Sequence, residues 1–232
     1  MGSAILVHGS WGNPEDWRWV RELLDEAAVS IVATDLPSHR SAAAGFGEDV
    51  TQVRKMIRDV GMPVVVVGWS YGWGVVAAAA VGEAVTRLVF VSGLPVSLPV
   101  MGTTRVEALA NPHLLDLGNG TFVLDNDWWL DEEAGTTFPC EVRQWLRAHP
   151  RRPMSWSAWE APLTEAAWDS APSTFLVGNA DPLLDAEQCA LLEDPSTRER
   201  YDIRAVDTDH FLPWRHPEVI SAVVVEALSQ QR

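Results

Sequence analysis

The chain has 232 residues, 47% of them apolar and 21% charged, and it carries a formal charge of −15 at pH 7. It is too long for a staple-dependent miniprotein and too apolar for a disordered chain, so one large α/β domain is the first expectation. The acidic balance opposes binding to nucleic acid or anionic lipid, and the longest apolar run, residues 75–81, is far short of the roughly 20 residues a membrane-spanning helix requires.

Residues 4–7 form a short apolar run that stops at His8-Gly9-Ser10, the pattern of a strand buried on both faces. Asn13-Pro14-Glu15-Asp16 then reads as a helix start, with Asn13 as cap and Pro14 at the first helical position, and predicts a helix to about Ala28. A strand is expected over 31–35 and a helix over 48–60, closed by Gly61. The plainest strand is 63–68, because four successive valines lose little rotamer freedom when extended. A small-residue helix over 72–82 and a strand over 87–93 continue the alternation, which implies parallel strands, right-handed crossovers and ligands at the carboxyl ends of the strands. From Pro95 to Pro172 the rhythm breaks, and six of the twelve tryptophans (128, 129, 145, 156, 159 and 168) fall there. The expectation is a core of 1–94 and 173–232, interrupted by a mostly helical lid over 95–172. Strands over 174–178 and 201–206, a helix over 186–192 and a last helix over 216–228 complete the reading.

Gly68-Trp69-Ser70-Tyr71-Gly72 fits G-x-S-x-G between a strand and a helix, the context in which a strained turn projects a serine hydroxyl from the sheet. A serine needs a base and a group that orients the base. Of six histidines, His210 follows the last predicted strand and so shares the loop edge from which Ser70 emerges. The strand ending at Gly93 offers no acid, whereas Asp181 follows the next strand; Asp185 is the rival, at a helix start where an acid is favoured anyway. The N–H groups of Tyr71 and Ser10 are placed to stabilise an oxyanion. Trp11, Trp69, Trp128, Trp129 and Phe211 are the expected pocket wall, although packing of the lid alone accounts for any single tryptophan.

These motifs resemble the α/β-hydrolase superfamily over nearly the whole chain. His8-Gly9-Ser10-Trp11 resembles its oxyanion-loop H-G motif, residues 35–39 its D-L-P-G-H loop, and residues 68–72 its nucleophile elbow. The order Ser70, Asp181, His210 is also that superfamily's order. The resemblance implies a roughly six-stranded, mostly parallel sheet flanked by helices. Pro162-Leu163-Thr164-Glu165 is similar to small plant-type esterases and hydroxynitrile lyases, and Gly68-Trp69-Ser70 resembles the elbow of carrier-protein methyl ester esterases. Departures are Trp73 where a second glycine is usual, and Ser38 and Asp209 in place of loop glycines.

An ester hydrolase acting on a small apolar or aromatic molecule is the first expectation, with neither cofactor nor metal. A lyase, dehydratase or cyclase using the same groups as acid and base is the alternative, and a small-molecule receptor the third. The lyases this chain resembles rely on a lid lysine, whereas its only lysine, Lys55, lies in a predicted body helix. Arg143, Arg147, His149, Arg151 and Arg152 form a basic run that suits either docking of an acidic carrier protein or carboxylated substrate, or pairing with nearby acids, the latter being expected. Cys140 and Cys189, with no recognisable leader ahead of Val7, point to a reduced, cytoplasmic protein and not to a disulfide framework.

Overall fold

A computed structural model describes residues 2–230. Strand β1 (Ser3–Val7) leads through a 3-10 turn (Pro14–Trp17) to α1 (Arg18–Glu26) and β2 (Ser30–Ala33). Helix α2 (Phe46–Val60), β3 (Val64–Trp69), α3 (Tyr71–Ala79) and β4 (Arg87–Val91) follow. The inserted segment holds α4 (Arg105–Ala108), β5 (Leu114–Asp116), β6 (Thr121–Leu124), α5 (Asn126–Asp131), α6 (Cys140–Ala148), β7 (Met154–Ser155) and α7 (Trp156–Trp159). The core resumes with β8 (Ser173–Gly178), α8 (Ala186–Glu193), α9 (Pro195–Arg200), β9 (Asp202–Val206), α10 (Leu212–Arg215) and α11 (Pro217–Ser229).

Six parallel strands form one sheet in the order β2-β1-β3-β4-β8-β9. Alternate side chains of each central strand enter separate cores, as the two-residue period of an extended chain demands. Leu6, Val65, Val67 and Val89 pack with Trp17, Val20 and Val223 on the α1/α11 face; Ile5, Val64, Val66 and Phe90 pack with Val53, Ile57 and Val76 on the α2/α3 face. The sheet is thus covered on both sides, the condition under which parallel sheets are stable.

Three features go beyond the sequence reading. The first predicted helix divides into a 3-10 turn and α1: Asn13 does cap it, accepting from Glu15 N at 2.8 Å, while the Asp16 carboxylate turns back to Asn13 N at 3.0 Å. Beside its helices, the inserted segment also holds a small antiparallel sheet of β5, β6 and β7 around buried Phe122 and Met154. Helix α9 is additional, capped by Asp194 through Ser196 N at 3.0 Å, with Pro195 in its first position.

The insertion is tied to the body through the first loop. Arg151 makes a two-pronged pair with Asp16, at 3.0 and 2.7 Å, with side-chain exposures of only 3% and 0%. Its guanidinium also lies over Trp214 and Trp129, 5.2 and 5.9 Å from their ring centroids. Arg152 donates to Gly12 O and to Asp35, each at 2.7 Å, and its N–H reaches Trp11 O at 2.9 Å. Arg143 and Arg147 both pair with Asp131. The four arginines of the basic run thus pair with acids of their own chain, while His149 Nδ1 lies 2.8 Å from Trp145 O.

Removing one partner of a buried pair strands the other charge, so Arg151→Met should cost about 3–5 kcal/mol in urea unfolding, and Asp16→Asn combined with Arg151→Met markedly less. A loss below about 1 kcal/mol for Arg151→Met would show that the pair does not hold the insertion down.

Candidate active site

The four valines of β3 run into Gly68, after which the chain reverses within two residues into α3. Ser70 sits at that reversal with φ 53° and ψ −122°, a conformation that costs a non-glycine residue free energy and persists only where surrounding packing enforces it. The enforcement is visible in the glycines beside it. A β-carbon on Gly68 would lie 2.3 Å from Gly72 O, and one on Gly72 would lie 2.5 Å from Val7 O, so β1, β3 and α3 approach more closely than any side chain there allows.

From this turn Ser70 Oγ lies 2.9 Å from His210 Nε2, and His210 Nδ1 lies 2.7 Å from Asp181 Oδ2. His210 and Asp181 are each only 7% exposed. The structure thus brings together the three side chains expected from the sequence, from the loops after β3, β8 and β9. Asp185 is instead the cap of α8, accepting from Gln188 N at 2.8 Å. Asp209, in the position of a common glycine, binds Arg215 at 2.7 Å and accepts from Phe211 N at 3.0 Å.

Tyr71 opens α3, so its N–H belongs to the first turn, whose donors have no partner inside the helix. Ser10 follows Gly9, and a β-carbon on Gly9 would meet Ser70 Cβ at 3.1 Å, which places this loop against the serine. Trp11 holds φ 56° beside it.

A cavity of about 370 Å³ opens at Ser70 and His210, in the range of small-molecule sites. All five expected wall residues, Trp11, Trp69, Trp128, Trp129 and Phe211, line it. Trp159, Trp214, Leu114, Leu124 and Leu183 add apolar surface; Glu133, Asn111 and the Asp16-paired Arg151 are its main polar side chains away from Ser70 and His210. Trp73 stacks on Trp168 at 5.5 Å and is not a wall residue of this cavity. Lys55 pairs with Asp59 on α2 and is likewise not part of the cavity wall.

The model of the alpha/beta hydrolase family matches residues 4–223. The chain is an enzyme of the alpha/beta hydrolase family. It is 27% identical over 209 residues to the alpha/beta hydrolase nvfD of Aspergillus novofumigatus, covering 81% of this chain and 80% of that one. Among solved structures, it resembles an extracellular alpha/beta-hydrolase of a Paenibacillus species (TM-score 0.74, 16% identity, 98% and 99% of the two chains). It also resembles tomato methylketone synthase I complexed with 2-tridecanone (TM-score 0.71, 15% identity, 100% of each chain). At such identities these two similarities establish the shared fold. Among the described residues of this hydrolase-family chain, no helix is long and apolar enough to cross a membrane, and no cluster of three or more candidate metal ligands occurs.

Ser92, which sequence reading did not single out, and Trp69, expected only as a pocket wall, hold the His210 backbone. Its carbonyl accepts from Ser92 Oγ at 2.9 Å and from the Trp69 indole N–H at 3.0 Å. Ser92, at φ 55°, is the residue that follows β4, so the loop carrying the imidazole is pinned to the sheet edge. Trp69 is therefore both a cavity wall and an anchor.

The other two buried imidazoles, His8 and His39, stand outside the line of Ser70, His210 and Asp181. His8 is fully buried, bonds Gly9 O through Nδ1 at 2.9 Å, and burial holds its pKa down to about 4. Burial also lowers His39, with His8 as the next cause. Both are neutral in the fold, whereas in the unfolded chain they gain protons below about pH 6.5. The unfolded state then binds more protons, so their contribution is intact above pH 6.5 and is lost as pH falls toward 4. His8 alone should remove on the order of 3 kcal/mol over that window. Urea unfolding at successive pH values should show His8→Asn with a flatter profile than the parent; parallel profiles would place the titration elsewhere.

Proposed function

We propose that the protein is a serine hydrolase that cleaves a carboxylic ester of a small apolar or aromatic substrate through an acyl-enzyme. The observation that carries this reading is the unbroken line from Ser70 Oγ to His210 Nε2 at 2.9 Å and from His210 Nδ1 to Asp181 Oδ2 at 2.7 Å. His210 takes the hydroxyl proton as Ser70 attacks the ester carbon, and Asp181 fixes the tautomer with Nδ1–H toward itself and Nε2 toward the serine. The N–H groups of Tyr71 and Ser10 receive the oxyanion. Collapse of the tetrahedral adduct expels the alcohol with the proton from His210; water, deprotonated by the same imidazole, then releases the acid and restores Ser70.

The indole and phenyl rings of the cavity support the substrate class, since they offer broad apolar faces and few hydrogen-bonding groups away from the serine. Lyase chemistry of the type that needs a lid lysine gains no support, because Lys55 is on α2 and paired with Asp59. Cys140 and Cys189 are both exposed and unpaired, which supports a reducing, cytoplasmic setting.

Ser70→Ala should lower turnover of short p-nitrophenyl esters at least about a thousandfold, the scale on which disabling such a nucleophile acts. Turnover comparable with the parent would remove the proposal. In oxygen-18 water the acid product must carry the label; label-free product from an active enzyme would instead favour elimination or cyclisation.

A further inference from the structure

A single buried polar cluster bonds the side chain of Tyr71 and meets His8, two residues before Ser10; Tyr71 and Ser10 are the residues whose N–H groups are assigned to the oxyanion. Asp49 of α2 is fully buried, and no arginine or lysine lies within hydrogen-bond distance of its carboxylate among the described residues. It is satisfied by three donors instead: Ser38 N–H at 2.9 Å on Oδ1, and the hydroxyls of Ser38 and Tyr71, each at 2.6 Å, on Oδ2. His39 Nδ1 lies 3.0 Å from Ser38 Oγ, and since that hydroxyl already donates to Asp49, the imidazole donates to it. The His39 ring in turn meets His8 edge-on at 4.7 Å and lies 6.0 Å from Tyr71. His8 receives Leu36 N–H on Nε2 at 3.4 Å and precedes Gly9 and Ser10.

A buried carboxylate is a poor means of holding two helices together, because apolar packing of equal volume does so without the cost of desolvating a charge. What a carboxylate adds is direction: bonds of fixed length to chosen groups. Here those groups are the side chain of the residue whose own N–H opens α3, and the turn that abuts the loop of the second donor. Oxyanion stabilisation depends on donors held within tenths of an ångström before the reaction begins. The Ser38 hydroxyl, in a position where the superfamily commonly has glycine, completes the connection.

We propose that Asp49 is a positioning residue for the oxyanion site, holding the Tyr71 N–H through the Tyr71 hydroxyl and the His8-Gly9-Ser10 loop through Ser38 and His39. This rests on the serine-hydrolase reading above. Its energetic consequence lies in the transition state, not in substrate binding, since a ground-state carbonyl makes little demand on these donors.

The test is the second-order rate at which a fluorophosphonate modifies Ser70, a reaction that also builds negative charge on an oxygen at this site and needs no knowledge of the natural substrate. Tyr71→Phe removes one hydroxyl and preserves the ring; Asp49→Asn keeps the shape and removes the charge. Each should slow modification by about tenfold, and kcat on p-nitrophenyl esters by a similar factor, with KM changed less than about twofold. The double variant should be no slower than the slower single one, because both act through one link. Should Tyr71→Phe react at the parental rate while only its melting temperature falls, the cluster is merely structural and the proposal is overturned. Multiplying effects in the double variant would overturn it too. A parent enzyme that fails to react at all refutes the hydrolase reading itself, an outcome separable from a reactive parent with an equally reactive Tyr71→Phe.

Discussion

The reversal at Ser70 is the constraint on which the remaining structure depends. A left-handed backbone at a residue with a side chain is tolerated only when its alternatives are worse. Here they are worse because β3 is packed on both faces by its valines, while α3 lies so close to β1 that Gly72 has backbone oxygen where a β-carbon would stand. The strain and the close packing are one feature: relaxing Ser70 would move α3 away from the sheet and carry the Tyr71 N–H with it. The hydroxyl is thus presented by the most buried part of the molecule, although it is itself at a cavity wall.

Topology then decides what can reach that hydroxyl. From β1 the chain steps outward to β2, then crosses back to β3 and continues the other way, so the crevice at the strand ends lies between β1 and β3. The loop carrying Ser10 stands on one side of it and Ser70 on the other. Asp181 and His210 come from β8 and β9, at the far edge of the sheet, and reach back along its carboxyl end. That reach needs a brace, which Ser92 and Trp69 supply by holding the His210 carbonyl against the sheet. The imidazole is therefore fixed at both ends, by two donors on its backbone and by Asp181 on its ring.

The core was legible in the sequence because each element announces itself locally. The Val64–Val67 run, the Asn13 cap and the glycines flanking Ser70 carry their structural meaning within a few residues, and His210 and Asp181 followed from their places after predicted strands. The insertion was less legible. Its hairpin had a signal in Gly118-Asn119-Gly120 ahead of the β-prone Thr121–Leu124, but strands of three, four and two residues are too short to show a sustained alternation. Least legible were pairings between residues far apart in the chain. Asp16 looks like an ordinary first-turn acid and Arg151 like one of a basic run; only the fold places them together, 135 residues apart. Asp49 is equally anonymous, an acid in the first turn of α2 where the helix dipole alone would justify it.

The same pairings explain a bias in composition. Lys55 is the only lysine, so the other 16 of the 17 lysine and arginine residues are arginines. An ammonium is a point charge, whereas a guanidinium is a planar fork that grips a carboxylate with two parallel bonds and lays its face on an aromatic ring. Arg151 uses both properties at once, gripping Asp16 while lying against Trp214 and Trp129. Arg152 spans Gly12 and Asp35 in the same region. A lysine at 151 would give up one of the two bonds to Asp16 and offer the indoles no flat partner. Arg151 and Arg152 thus fasten the inserted segment to the loop after β1 and to Asp35, while Arg143 and Arg147 pair with Asp131 inside the segment itself. That fastening also ties Arg151, in the cavity wall, to the loop that carries Ser10.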